Sequence, residues 1–136
     1  MVHIIAGPEG SGKTRKLVDA IHGALENESG GIVCIERGST LRFDISHRVR
    51  LVDVSEYPYG TYTFLKGFLS GLHAGNFDIT HIFIDNLYKI SKNKDDAETE
   101  AFLKWAEEFS AQNSVVITCT MTTSTGDLPE FLKKYC

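Results

Sequence analysis

The chain has 136 residues, 42% of them apolar and 24% charged, with a formal net charge of −4. That length suits one domain, residues 1–136, with one good core, and the apolar content excludes a disordered chain. The negative charge repels phosphodiester backbones and argues against nucleic acid as a partner.

Cys34, Cys119 and Cys136 are odd in number and without paired spacing. They exclude a disulfide framework and fit a reducing, cytoplasmic setting. The apolar run at residues 2–6 is too short for a signal peptide, and no run is long enough for a membrane span.

Taken in order, the chain opens on an apolar run of strand length, "VHIIAG", and passes through "GPEGSGKT" into a helix from about Lys13 to Glu26. Leu17, Val18, Ile21 and Leu25 mark that helix's buried face. "GIVCIE" follows as a second strand. The segment "ERGSTLRFDISHR" has no room for a full crossover helix, and a short hairpin is expected around Leu41 to Ile45. "VRLVDV" reads as a third strand, and Leu65, Phe68, Leu69 and Leu72 repeat the helical spacing up to Gly75. "HIFID" is a fourth strand, with His81 expected at its exposed start. Phe102, Trp105, Ala106 and Phe109 mark another helix, with Asp95 and Asp96 placed to cap and charge its first turn. "SVVITCT" is a fifth strand, and "DLPEFLKKYC" suggests a short terminal helix. Nearly continuous β-branched strands alternating with amphipathic helices imply a mainly parallel five-stranded sheet covered on both faces, a three-layer α/β/α fold.

The segment that carries chemistry is "GPEGSGKT". Gly7, Gly12, Lys13 and Thr14 are its constrained positions, a combination that arises by chance in roughly one chain in a few hundred. Here it follows a strand and enters a helix, as the motif requires. Gly7, Gly10 and Gly12 let the loop bring backbone N–H groups against phosphate oxygens, and the helix N-terminus beyond adds partial positive charge. Pro8 stiffens the loop entry, and Ser11 completes it. Lys13 is placed to reach the β- and γ-phosphates, and Thr14 to hold Mg²⁺. Arg15 lies near the ribose or base. Glu9 is tolerable beside a triphosphate only when it points to solvent. A second metal carboxylate belongs at the end of a neighbouring strand, and Asp85 in "HIFID" supplies it.

With these two motifs, about a tenth of the chain, the sequence resembles the P-loop NTPases: "GPEGSGKT" matches their Walker A loop and "HIFID" their Walker B strand. The extra strand "VRLVDV" before "HIFID" is similar to the RecA-like branch, which implies the sheet order 5-1-4-3-2. The layout also resembles the nucleotide-binding core of type II thymidine kinases, and small bacterial P-loop proteins often labelled twitching-motility-type ATPases. The resemblance implies a nucleoside triphosphate, ATP by default, with Mg²⁺, and a homo-oligomer or protein partner to complete the site.

Many such ATPases carry a Glu after the Walker B Asp. This chain has Asn86, which orients water but takes no proton. RecA-type recombinases take their catalytic Glu from the end of the second strand, which carries the base role onto Glu36, with Glu56 next in line. One of Thr118 and Thr120 is a candidate polar sensor. Arg37, Arg42, Arg48, Arg50 and His47 form a basic segment that suits either a partner or a solvated face, and "YPYGTY" (57–62) suits either base stacking or turn packing. A slow Mg²⁺-dependent ATPase is the first reading, with Lys13 and Glu36 as its catalytic residues. A nucleotide-sensing module without catalysis and a small-molecule, nucleoside-type kinase are the alternatives.

Overall fold

A computed structural model describes residues 1–58, 60–124 and 128–136. Five parallel strands form one sheet: β1 (Val2–Gly7), β2 (Gly31–Glu36), β3 (Arg50–Asp53), β4 (Ile79–Ile84) and β5 (Val116–Thr122). Among the described residues four helices connect or cover them: α1 (Lys13–Asn27), α2 (Tyr62–Gly75), α3 (Leu87–Ser91) and α4 (Asp96–Asn113), with 3₁₀ turns at Val54–Glu56 and Glu130–Tyr135. Among the described residues no helix is long and apolar enough to cross a membrane.

The layers follow from where the apolar residues fall. On one face of the sheet, Leu17, Val18 and Ile21 of α1 pack with Ile32, Cys34 and Phe83. On the other, Leu65 and Leu69 of α2 and Phe102, Leu103 and Ala106 of α4 cover Val33, Ile35, Ile82, Ile84, Ile117 and Cys119, joined by Leu132 and Tyr135 of the terminal turn. A strand between two helical layers needs apolar residues on both faces, as the near-continuous runs of β2, β4 and β5 supply. Burial pushes the Cys119 thiol up to about 12 and raises that of Cys34 still further, so both stay protonated. Asp95 caps α4 by accepting from Glu98 N at 2.9 Å, with Asp96 and Glu98 in the first turn, as the sequence suggests. Thr61 does the same for α2 through Phe64 N.

Three expectations need correction. The sheet order is β1-β5-β4-β2-β3 instead of 5-1-4-3-2. β5 lies between β1 and β4, and β3 lies outside β2. The reason is burial: Ile117 to Met121 of β5 are all buried, as a central strand demands, whereas His3 of β1 and Arg50 of the four-residue β3 are exposed, as edges allow. The expected order would have set β1 directly beside β4, and β5 separates them instead.

Residues 37–49 hold turns and no hairpin. Leu41, Ile45 and Val49 reach the α1 core from those turns, so tertiary burial fixes the segment where a ladder was expected. Finally, β4 starts at Ile79, and His81 is a buried residue of its interior.

Candidate functional site

The turn from β1 into α1 is held by its own backbone. Ser11 N and the Lys13 ammonium both donate to Pro8 O, at 3.2 and 2.8 Å, and Thr123 N donates to Gly7 O at 2.9 Å. Gly10 and Gly12 have φ of 79° and 86°, a left-handed conformation that costs other residues energy. At Gly7 a Cβ would stand 2.6 Å from Ser11 Oγ, so a larger residue there would have to turn that hydroxyl aside.

Gly12 is the N-cap of α1, and it supplies no side-chain hydrogen bond; no acidic residue stands in the first turn. The contrast with α2 and α4, both capped by side chains, is informative. A 15-residue helix begins at this loop, and among the described residues no side chain caps its leading N–H groups; such an end attracts anions.

These residues form one side of a cleft of ≈ 460 Å³, with Glu9, Gly10, Gly12, Lys13, Thr14 and Arg15 facing Asp85, Asn86, Thr120 and Thr122 across it. The cleft thus sits at the carboxyl ends of the strands, where open parallel sheets bind ligands. Nine of the residues singled out in the sequence share it: Glu9, Gly10, Gly12, Lys13, Thr14, Arg15, Asp85, Asn86 and Thr120. Gly7, Pro8 and Ser11 shape the loop behind them.

The strand side is wired together. Thr120 Oγ1 donates to Asp85 Oδ1 at 2.7 Å and accepts from Asn86 N at 2.7 Å, while Asp85 N donates to Ile35 O at 2.8 Å. One hydroxyl therefore orients the carboxylate and fixes the residue after it. Asn86 has φ 62° and caps α3, its side chain accepting from Lys89 N at 3.3 Å. Of the two alternating threonines, Thr120 is in the cleft. Thr118 lies one side-chain repeat further down β5 and meets His81 Nε2 at 2.8 Å.

Glu36 is not brought to the cleft wall. It is 3% exposed, and its carboxylate accepts from Thr40 N (3.1 Å), Thr40 Oγ1 (3.0 Å) and Leu41 N (3.3 Å), which anchors the start of the 37–49 segment. Glu56 is exposed in a 3₁₀ turn and also outside the cleft wall. Asp53 caps that turn through Ser55, and these bonds with one from Gly38 N hold its carboxyl below the usual range. Arg48 and Arg50 line a separate cavity at the opposite end of the sheet, with Gly31 and Ile79. Within "YPYGTY", Tyr59 lies outside the described residues. Tyr62 is buried with its hydroxyl on Thr99 Oγ1 at 2.8 Å, so its role is packing. His81 stacks on Phe83 and bridges Thr118 to Glu28 at the C-terminus of α1. Burial lowers its pKa, and Glu28 only partly opposes that.

Solved structures match this fold. The flagellar accessory protein FlaH from Methanocaldococcus jannaschii has a TM-score of 0.62 and 17% identity, over 98% of this chain and 65% of FlaH. The chain thus spans just under two thirds of FlaH's length. At that identity the likeness to FlaH is one of fold, and the chemistry of the cleft rests on the side chains described above. No protein-family model matches the sequence, nor does any curated protein.

Of the residues lining the cleft, Thr122 carried no signal in the sequence; it enters because β5 is a central strand. Residues 87–91 form a helix too short to show a period in the sequence.

Proposed function

We propose that the cleft binds a nucleoside triphosphate, ATP by default, together with Mg²⁺, and hydrolyses it slowly. The observation that carries this reading is the uncapped N-terminus of α1, entered through left-handed glycines, with Lys13 and Thr14 facing Asp85 across one cleft.

The donor set fits the ion. A hydroxyl and a carboxylate are hard oxygen ligands, and Mg²⁺ takes one or two of these and fills the rest of its octahedron with water and phosphate oxygens. When bound, the ion neutralises charge on the terminal phosphates. Leading N–H groups of α1 cradle the phosphates, and Lys13 exchanges Pro8 O for a phosphate oxygen. Thr120 holds Asp85 Oδ1, and the oriented carboxylate would serve the ion or its water shell.

Slow turnover follows from the acids available. Asn86 orients a water and accepts no proton. Glu36, the base suggested by the sequence, is engaged with Thr40 and Leu41, and it serves only in a conformer that breaks three hydrogen bonds. A module that senses nucleotide without hydrolysis is the second reading, favoured by Asn86 alone. Phosphate release measured with Mg²⁺-ATP separates the two. A slow release abolished by Lys13→Ala supports the ATPase, and nucleotide binding with no release supports the sensor.

A further inference from the structure

The cleft is not alone. Glu9, Asn86 and Thr122 also line a second cavity of ≈ 350 Å³, completed by Tyr88, Lys89 and Lys94. The two spaces share a wall at the carboxyl ends of β4 and β5. A volume of that size suits a small molecule.

Charge gives the ligand class. Lys89 and Lys94 are exposed, and among the described residues neither ammonium pairs with a carboxylate. Lys104, Lys133 and Lys134, by contrast, all reach a glutamate. With Glu9 as the lining carboxylate, the second cavity is net positive, and ammonium groups are point charges that suit phosphate oxygens. The backbone supplies a further sign. The five-residue α3 is bracketed by Asn86 and Lys92, both with left-handed φ, and such strain concentrates at ligand sites.

Asn86 then acquires a reason. Attack by water or a hydroxyl needs a base to take a proton, and the residue after Asp85 is an amide. A phosphate oxygen arrives as an anion and needs none. We propose that the second cavity holds a phosphate-bearing small molecule as acceptor of the terminal phosphoryl group, which rests on the nucleotide reading of the first cleft. In the transfer, the bond between the γ-phosphorus and its bridging oxygen to the β-phosphate breaks. A bond forms from the γ-phosphorus to an anionic oxygen of the acceptor, and the nucleoside diphosphate leaves. No proton moves and no base is required. Lys89 and Lys94 hold the acceptor.

Inorganic pyrophosphate is the probe, since it offers the required oxygen and no hydroxyl. Calorimetry on protein saturated with Mg²⁺ and a non-hydrolysable ATP analogue is expected to show a second binding event. Lys89→Ala/Lys94→Ala is expected to weaken it at least tenfold while nucleotide affinity stays within threefold. With γ-labelled ATP, label is expected in inorganic triphosphate for the wild type and at least tenfold less for the double variant. Both lysines are exposed, so thermal unfolding of the variant should match the wild type. If pyrophosphate binds both proteins equally or not at all, or if all label leaves as inorganic phosphate, the acceptor site is overturned. Failure of the analogue itself to bind overturns the nucleotide reading instead, so the two failures are distinct.

Discussion

Replacing Thr120 by Val removes one hydroxyl and keeps the side chain's shape. Thr120 is 1% exposed, and its hydroxyl donates to Asp85 Oδ1 and accepts from Asn86 N, each at 2.7 Å. The bond to a carboxylate is worth about 1.5–3 kcal/mol and the one from the amide about 0.5–1.5 kcal/mol. The extra buried methyl returns roughly 0.8 kcal/mol. A net loss of about 1–4 kcal/mol is expected, read as a lower urea midpoint at unchanged m-value. Asp85 also loses the partner that orients it, so the Mg²⁺-dependent part of nucleotide affinity should fall about tenfold, equivalent to ~1.4 kcal/mol. Thr120→Ser keeps the hydroxyl and should preserve most of both. Calorimetry with and without Mg²⁺ reads the affinity. If Thr120→Val binds Mg²⁺-nucleotide as the wild type does, Thr120 does not position Asp85 for the ion.

Glu36→Gln weakens three hydrogen bonds to the 40–41 turn and should cost about 1–3 kcal/mol in urea unfolding. Nucleotide affinity should change less than threefold, and a hundredfold drop in phosphate release at full folding would restore Glu36 as the base. Gly12→Ala forces a side chain to φ 86°; about 1–2 kcal/mol of strain should lower the thermal midpoint and weaken nucleotide binding, and an unchanged protein would show that the loop does not need this conformation. His81 has its pKa lowered from 6.5, first by burial. The unfolded chain therefore takes up a proton at a higher pH than the folded one, and stability present above pH 6.5 is lost as the pH falls through the lowered value. Urea midpoints from pH 8 to 5 should decline less steeply in His81→Gln, and equal slopes in both proteins would contradict this.

Local features were legible where local forces decide them. β1 and β2 have the bounds that their apolar runs suggest, and the cap at Asp95 follows from an acid placed before an amphipathic run. The loop side of the cleft was equally readable, because glycines with left-handed φ, a lysine and a threonine act within a few residues of one another. Features decided at long range were not. Strand order depends on which strands are buried on both sides, a property of the assembled sheet. The role of Glu36 depends on a turn whose anchors, Leu41 and Ile45, bury against α1. His81 pairs with Glu28 and Thr118, 53 and 37 residues away in the chain, and nothing near it announces either. Lys89 lines the second cavity from α3, whose five residues are too few to show a period in the sequence.

The most direct measurement is Mg²⁺-ATP binding by calorimetry to the wild type, Lys13→Ala and Asp85→Asn. Charged hydrogen bonds of about 1.5–3 kcal/mol imply one saturable site in the wild type, with affinity at least tenfold weaker in Lys13→Ala. Asp85→Asn should lose the enhancement by Mg²⁺ while keeping binding without it. Equal affinity in all three proteins, or no binding to the wild type, would contradict a nucleotide site between α1 and β4.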